Sequence, residues 1–323
     1  MAEFIVVIPE GSSSIAPGAQ DYRGNQIQIR FAPFDSPERV AEATADAHGV
    51  IVALQKLQRK EIAALGPRVR AISRSGIGVD NIDLDAAKER GIAVIYQPVY
   101  ATDEVATHAV AMLLALNRRL MDADRIVRTG WQQRKLLFGI KPLHRMTVGV
   151  VGFGAIGRAV AHRLTNLVDR IVVYDPYAKS VSAGAELEAS FDAFLKRSDA
   201  ITLHAPLTPE TRNLIGAREL ALLPNGACIV NVARGELIDH EALIKSLQSG
   251  HVSGAGLDVF SVEPLPLDHP LLACPGVLLS PHTAFASAEA IARLHRQTAE
   301  DLFAYLADAT IVFGKLAVDP QGR

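Results

Sequence analysis

The stretch TVGVVGFGAIGRAVA, residues 147–161, decides the fold of this chain. Its first part is an apolar run rich in β-branched residues, which is typical of a buried strand. Gly152, Gly154 and Gly157 follow in the spacing GxGxxG, and a helical pattern continues over residues 158–167. The first glycine permits a tight turn, the second lets the backbone approach a pyrophosphate, and the third lets the helix pack closely on the strand. N–H groups at the amino terminus of the helix bind phosphates, so the stretch predicts a dinucleotide site.

An acidic residue follows where the ribose of a dinucleotide would be bound. Asp175 comes 18 residues after Gly157, at the end of the next predicted strand. Its carboxylate can accept hydrogen bonds from the ribose hydroxyls, and it would repel the additional phosphate of NADP. NAD is therefore the predicted cofactor, although Lys179 nearby would weaken that repulsion. The alternative interpretation is a structural glycine turn followed by a solvated aspartate.

Strands and helices alternate along the whole chain, which predicts βαβ units, parallel sheets and the α/β class. Helices are predicted after the cap at Ser36, over 84–90, from Thr102 through an apolar stripe that reaches Leu120, over 239–248 and over 288–306. The predicted strands are FIVVI (4–8), GVIVAL (49–54), RAIS (70–73), IAVIY (92–96), TVGVVGFG (147–154, with its turn), IVVYD (171–175), AITLH (200–204), CIVNVA (228–233) and GAGLDV (254–259).

The composition excludes several classes of protein. The chain has 323 residues, 49% of them hydrophobic and 21% charged, with a net charge of -2, which is typical of a globular protein without a basic nucleic-acid-binding face. Two cysteines, Cys228 and Cys274, lack the spacing of a zinc site or a disulfide framework, so no metal is expected. The amino terminus reads as a first strand, and no apolar run is long enough to span a membrane. We expect a cytoplasmic protein that binds neither nucleic acid nor membrane.

Three charged or titratable residues follow the ends of predicted strands in the second half of the chain. Arg234 follows CIVNVA, Glu263 follows GAGLDV, and His282 follows VLLSP. Because ligands bind at the carboxyl ends of strands in open α/β sheets, the three side chains could meet in one crevice. An arginine binds a carboxylate, a histidine gives a proton to a carbonyl oxygen, and a glutamate stabilises the imidazolium. Together they suit the reduction of a 2-keto acid, whereas singly each could be a surface charge or a packed ring.

Seven stretches carry a resemblance to a known family. The sequence resembles the D-isomer-specific 2-hydroxyacid dehydrogenases in GIGVDNID (76–83), VGFGAIGRAVA (151–161), VYDPY (173–177), LHAPLTPETRNLI (203–215), NVARGELID (231–239), GAGLDVFSVEPLP (254–266) and SPHTA (280–284). The matches cover most of the chain and keep the family's order.

The resemblance implies the domain organisation and the site. It implies a Rossmann NAD domain, residues 102–287, inserted into a flavodoxin-like substrate domain made of residues 1–101 and 288–323. It also implies a homodimer built around the helix that begins near Thr102. Substrate contacts are implied for Arg74, Ser75, Gly76, Ile77, Arg234, His282 and Phe285. Cofactor contacts are implied for Gly152, Gly154, Ala155, Ile156, Gly157, Asp175, His204, Ala205, Pro206, Thr211, Val232, Ala233, Arg234, Asp258 and His282.

Three positions bear on the substrate. Thr107 stands where many members have an acid before the histidine of the long helix. Phe285 stands where many members have a small residue and the carboxy-terminal-binding-protein corepressors have tryptophan. An aromatic ring there would favour an apolar or aromatic substrate tail, unless it turns into the domain interface. Arg74 instead resembles the arginine with which phosphoglycerate-oxidising members bind phosphate.

Two functions from different classes follow from these residues. The first is an NAD-dependent enzyme that interconverts a 2-keto acid and a D-2-hydroxy acid, with 3-phosphoglycerate as an alternative substrate. The second is a corepressor-like dimeric scaffold that senses a dinucleotide. Oxidation of formate or phosphite on the same fold is a weaker third hypothesis.

Overall fold

The computed structural model describes residues 3–11, 18–182, 184–320 and 322. The chain divides into two compact units, Met1–Tyr100 with Ser287–Arg323 and Ala101–Ala286. Each unit contains a seven-stranded sheet, and helices connect most of its parallel strands, so the predicted α/β class is confirmed. No helix among the described residues has the length and apolar character needed to cross a membrane.

The helices and strands have the following bounds. The strands are β1 (Glu3–Pro9), β2 (Gly18–Tyr22), β3 (Asn25–Ala32), β4 (Gly49–Val52), β5 (Ala71–Arg74), β6 (Ala93–Tyr96), β7 (Thr147–Val151), β8 (Arg170–Tyr174), β9 (Ala185–Leu187), β10 (Ala200–Leu203), β11 (Ala227–Asn231), β12 (Val252–Leu257), β13 (Val277–Leu279) and β14 (Lys315–Val318). The α-helices are α1 (Pro37–Thr44), α2 (Arg59–Ala64), α3 (Leu84–Glu89), α4 (Thr102–Asn117), α5 (Leu120–Arg128), α6 (Ala155–Leu164), α7 (Phe191–Arg197), α8 (Ala217–Leu222), α9 (His240–Ser249) and α10 (Ala288–Asp308).

The first unit has the flavodoxin-like order of parallel strands that the resemblance implies. Its sheet runs β14-β6-β5-β4-β1-β3-β2, and the five parallel strands, renumbered from β1, lie in the order 5-4-3-1-2. The edge strands β2 and β14 pair antiparallel with β3 and β6. Neither edge strand was predicted, because β2 reads GAQDY and β14 has four residues, and pairing with a neighbour stabilises both.

The terminal helix belongs to the first unit. Leu302, Phe303 and Leu306 of α10 are buried against the sheet together with Ile8 and Ile27. The helix begins where Ser287 Oγ accepts a hydrogen bond from Ala290 N, as expected for an N-cap serine. The first unit is therefore built from both ends of the chain.

The second unit is a wholly parallel, doubly wound sheet. Its strands run β13-β12-β11-β10-β7-β8-β9, so the direction of winding reverses between β7 and β10. Ligands of such sheets bind at this switch point, beyond the carboxyl ends of the strands. The glycine turn that follows β7 lies at this position.

Two helices differ from their predicted bounds by three residues, and the others by at most two. The predicted helix from Thr102 through Leu120 is two helices, because α4 ends at Asn117 and Arg119 adopts a left-handed conformation with φ of 50°. Leu120 then starts α5 and is 54% exposed, so its place in the buried stripe was wrong. The helix after the glycine turn begins at Ala155, three residues earlier than predicted, so it directly follows Gly154.

Candidate active site

The glycine turn makes two close backbone approaches. Gly152 has a φ of 86°, and a Cβ on it would lie 2.8 Å from the backbone of His204 and Ala205 beyond the neighbouring strand β10. A Cβ on Gly157 would lie 2.0 Å from Gly152 O, so only glycine lets α6 start this close to the turn. A Cβ on Gly154 would meet nothing within 4 Å. The turn is therefore tight on its protein side and open above Gly154.

The amino terminus of α6 is available to a phosphate. No side chain caps this helix, whose N-cap is Gly154 and whose first turn holds Ala155 and Ile156. The first N–H groups of a helix have no partner within the helix, and they carry the positive end of its dipole. The open space above Gly154 and these donors fit the pyrophosphate of a dinucleotide.

Asp175 is tied to the glycine turn. It directly follows β8, and its carboxylate accepts Phe153 N at 2.7 Å and Tyr177 N at 2.9 Å. Each carboxylate oxygen has a second lone pair that can accept a hydrogen bond from a ribose hydroxyl. The carboxylate thus lies beside the glycine turn, where it could accept hydrogen bonds from a ribose.

The segment after β10 contributes an uncharged histidine. His204 Nε2 lies 2.9 Å from Thr202 Oγ1, while its Nδ1 is buried and has no hydrogen-bond partner. Burial lowers the pKa of His204 to about 3, so the ring is neutral at physiological pH. An orphaned nitrogen beside the glycine turn is a further feature that fits a polar cofactor. Thr211 Oγ1 donates to Pro206 O and accepts a hydrogen bond from Thr208 N, both at 2.7 Å. The hydroxyl of Thr211 therefore stabilises the loop of residues 206–211.

Arg234 is placed by a buried asparagine. Asn231, the last residue of β11, donates from Nδ2 to Arg234 O at 2.8 Å and accepts Ala233 N at 3.0 Å. The Arg234 guanidinium donates to Ala233 O at 2.7 Å. Val232 and Ala233 therefore lie within a turn that Asn231 holds at the end of the strand.

A close backbone contact brings the Arg234 turn to the loop that carries Glu263. A Cβ on Gly235 would lie 2.0 Å from Phe260 C and 2.3 Å from Ser261 N. Glu263 in turn accepts Phe260 N at 2.9 Å through Oε1, so the loop folds back on itself. The positive charge of Arg234 is near enough to favour the ionised form of Glu263. Arg234 and Glu263, two of the three predicted side chains, thus lie close together in the second unit.

Glu263 and His282 form a hydrogen-bonded pair. Glu263 Oε2 lies 2.7 Å from His282 Nδ1. Partial burial raises the pKa of Glu263, but the hydrogen bonds from His282 and Phe260 N and the charges nearby outweigh it, so the pKa lies below its ordinary value. Because Nδ1 is bound to the carboxylate, Nε2 is the nitrogen that can exchange a proton with a ligand.

His282 is held in an unusual backbone conformation. Its φ is 54°, in the left-handed region, which costs a residue with a Cβ about 1 kcal/mol. Its N–H donates to Asp258 O at 2.8 Å. The Asp258 carboxylate, whose side chain is 1% exposed, accepts Thr283 N and Ala284 N at 2.9 Å and the Ser280 hydroxyl. Asp258 therefore braces the turn that carries the imidazole, and Phe285 follows that turn, partly exposed.

The predicted substrate loop lies in the first unit, directly after β5. Arg74 is 8% exposed, and its guanidinium donates to Ser75 O at 2.6 Å and packs over Gly76, where a Cβ would lie 1.5 Å from Nη1. Ser75 N donates to Val52 O at 2.7 Å and Gly76 N to Arg74 O at 2.9 Å. Two of the three predicted N–H groups are thus engaged within the unit, and Ile77 follows them, partly exposed.

Comparisons with known proteins agree on one family. Residues 110–284 match the model described as "D-isomer specific 2-hydroxyacid dehydrogenase, NAD binding domain". A glyoxylate reductase of Korarchaeum cryptofilum is 37% identical over 84% of this chain and 83% of its own. The chain belongs to the D-isomer specific 2-hydroxyacid dehydrogenase family.

Two further relatives show the breadth of this dehydrogenase family. A D-3-phosphoglycerate dehydrogenase of Mycobacterium leprae is 39% identical over 86% of this chain, which spans about half, 53%, of the mycobacterial enzyme. The crystal structure of an NAD-dependent formate dehydrogenase from Staphylococcus aureus in complex with NAD has a TM-score of 0.82 at 28% identity, covering 98% of this chain and 99% of that one. The second unit thus contains the family's NAD-binding domain.

Sequence reasoning missed several residues around the trio of Arg234, Glu263 and His282. They are Asn231, which holds the Arg234 turn, Gly235, which admits the Glu263 loop, and Ser280 and His108, which join the Asp258 brace. No group of three or more His, Cys, Asp or Glu side chains in the described part of the chain is arranged to hold a metal ion. The alternation GxGxD of residues 254–258 was a signal for the contacts of Asp258, because its small residues let a helix approach the strand.

Proposed function

We propose that this chain is an NAD-dependent oxidoreductase that interconverts a 2-keto acid and a D-2-hydroxy acid. The observation that carries the proposal is the Glu263–His282 pair, which lies with Arg234 at the strand ends of the sheet that carries the glycine turn. The D configuration of the product comes with the family to which the chain belongs.

Residues of the glycine turn and of the neighbouring strand ends would hold the cofactor. The pyrophosphate would lie over Gly154 and the amino terminus of α6, and the adenosine ribose against Asp175. Because the Asp175 carboxylate would repel a ribose phosphate, NADH should be preferred to NADPH. The cofactor, when bound, supplies the hydride that is added to C2 of the keto acid.

The charged trio would bind and protonate the substrate. The planar Arg234 guanidinium suits a carboxylate or the adjacent carbonyl oxygen. His282 would give the proton on Nε2 to the carbonyl oxygen as C2 is reduced, and it would take that proton back in the oxidation. Glu263 holds Nδ1 and stabilises the imidazolium before the proton is transferred.

Two residues favour a substrate with an apolar tail over one with a phosphate. Arg74 is buried and bonded to Ser75 O, so its guanidinium is poorly placed to bind a phosphate from solvent. Phe285 is partly exposed and directly follows the turn that carries His282. An aromatic ring at this position would suit an alkyl or aryl side chain of a keto acid.

A screen of keto acids tests this proposal. NADH oxidation should be followed with glyoxylate, pyruvate, 4-methyl-2-oxopentanoate, phenylpyruvate and 3-phosphohydroxypyruvate, each repeated with NADPH. We expect the highest kcat/KM with 4-methyl-2-oxopentanoate or phenylpyruvate, and a preference for NADH of at least about tenfold. The variant His282→Gln should bind NADH normally and lose most of its turnover. NADH binding without turnover of any keto acid by the unaltered chain would favour the dinucleotide-sensing scaffold instead.

A further inference from the structure

Helix α4 places a histidine at the end of strand β12. A Cβ on Gly254 would lie 3.0 Å from the side chain of Leu116, and a Cβ on Gly256 would lie 3.0 Å from Met112. Two residues along β12 therefore cover the same distance as four residues along α4, because both distances are close to 6 Å. The next step of the same alignment pairs Asp258 with His108.

The contacts at this step form a chain of hydrogen bonds. His108 Nε2 lies 3.0 Å from Ser280 Oγ and 3.8 Å from Asp258 Oδ1, and the Ser280 hydroxyl bonds to Asp258 Oδ1. An ionised carboxylate only accepts hydrogen bonds, so the Ser280 proton is donated to Asp258. The Ser280 oxygen is then an acceptor, and His108 must carry its proton on Nε2 to donate to it.

These hydrogen bonds reach from His108 to the turn that carries His282, the proposed proton donor. Asp258 is bonded to residues on both sides of His282, namely Ser280 before it and Thr283 and Ala284 after it. His282 itself has a left-handed φ of 54°, a conformation that the surrounding contacts must maintain. Release of Ser280 would free one side of the brace and let the imidazole move away from its line to the substrate.

We propose that His108 is a positioning residue, which acts through Ser280 and Asp258 to hold the His282 turn in its reactive conformation. The inference rests on the proposed function, since it needs a reaction in which His282 transfers a proton. His108 touches none of the reacting atoms in this scheme. Its side chain is 30% exposed, so substitutions can be accommodated without leaving a large cavity.

Three variants of His108 separate positioning from folding. His108→Leu removes the donor, and His108→Gln places an amide N–H close to the position of Nε2. His108→Asn carries the same amide on a side chain one carbon shorter, which cannot reach Ser280. We expect kcat for the best keto acid to fall about tenfold in the Leu and Asn variants and to stay within about twofold in the Gln variant, because displacement of a reacting group by a fraction of an ångström has effects of this size. The Kd of NADH and the thermal midpoint should be nearly unchanged in all three.

A double-mutant cycle tests the route through Ser280. If His108 acts through this hydroxyl, the variant His108→Leu/Ser280→Ala should be no slower than Ser280→Ala alone. Full additivity of the two losses in kcat would overturn the route, and wild-type kcat in His108→Leu would overturn the positioning role. A wild-type chain that turns over no keto acid at all would overturn the proposed function and this inference together, so the two failures are told apart by the first measurement.

Discussion

At the scale of single residues, the pair of Glu263 and His282 should set the alkaline limit of keto acid reduction. The carboxylate lies 2.7 Å from the ring, and its pKa is lowered because hydrogen bonds and nearby positive charge outweigh its burial. Glu263→Gln keeps the shape and removes the negative charge, so the imidazolium becomes less stable relative to the neutral ring. We therefore expect the alkaline limb of the kcat/KM profile for reduction to move to lower pH.

This shift distinguishes an electrostatic role of Glu263 from a steric one. A loss of kcat/KM that is equal at every pH would mean that Glu263 only shapes the loop through its bond to Phe260 N. The profile of Glu236→Gln, which changes another carboxylate in the same unit, provides the matched control and should keep the wild-type limb.

His204 should make the protein less stable in mild acid. Its pKa is about 3 in the folded chain because of burial, and about 6.5 for an unperturbed histidine. The unfolded state binds this proton first, so the folded state loses stability as the pH falls below about 6.5, by up to about 1.4 kcal/mol per unit until pH 3. Above that window the residue contributes no pH dependence.

Urea unfolding at several pH values measures this contribution. Between pH 6.5 and pH 5, the free energy of unfolding of the wild type should fall by about 2 kcal/mol more than that of His204→Phe. Other histidines with lowered pKa values, such as His48, His240 and His295, remain in both proteins and cancel in the difference. Parallel pH curves for the two proteins would show that folding does not lower the pKa of His204.

At the scale of elements, two glycines of the same turn should respond differently to substitution by alanine. Gly154→Ala adds a Cβ that meets no protein atom, at a residue whose φ is -69°, so the fold should be unaffected. Gly157→Ala places its Cβ 2.0 Å from Gly152 O, which forces α6 away from the turn. We expect the first variant to keep its thermal midpoint and to bind NADH at least about tenfold more weakly, because the methyl group occupies the approach of the pyrophosphate.

The second variant serves as the contrast in the same turn. Gly157→Ala should lose stability by about 1–3 kcal/mol as well as cofactor affinity, as is usual for overpacking against backbone. Calorimetry of unfolding and titration of NADH fluorescence measure the two effects separately. Unchanged NADH affinity in Gly154→Ala would place the pyrophosphate elsewhere.

The elements that sequence could predict are those with a local signal. The strand–turn–helix around Gly152 and the cap at Ser36 follow from short patterns of glycine, apolar and capping residues. The charged residues at strand ends could also be named, because parallel strands bring their carboxyl ends to one edge. The edge strand β2, GAQDY, has no apolar alternation of its own and is stabilised by its hairpin partner β3. The break at Arg119 has no local signal either, and its side chain bonds to Leu136 O, 17 residues away.

The hydrogen bonds that position the trio were beyond sequence patterns for the same reason. The bond of Asn231 to Arg234 O is local, but the approach of Gly235 to Phe260 and the brace of Asp258 across Ser280 and Ala284 depend on how three strands are aligned. Patterns identify the reactive groups, while tertiary packing decides which polar residues orient them.

At the scale of the whole molecule, an exposed apolar face supports the homodimer that the family resemblance implies. Helix α4 buries most of its apolar side chains within the second unit. The face lies instead on α5 and the segment after it, and it consists of Leu120, Val127, Trp131, Leu136 and Phe138, which are 52–74% exposed. An apolar cluster of this kind is usually covered by a partner, and we propose a second copy of this chain.

Light scattering after gel filtration tests the dimer. The wild type should elute with a mass near twice that of one chain, and the double variant Leu136→Glu/Phe138→Glu should elute near the mass of one chain, because two buried charges oppose association. Leu267→Glu is the matched control, since Leu267 is 96% exposed in the same unit but lies outside this face. A monomeric wild type at micromolar concentration would overturn the dimer, and a double variant that stays dimeric would place the interface elsewhere.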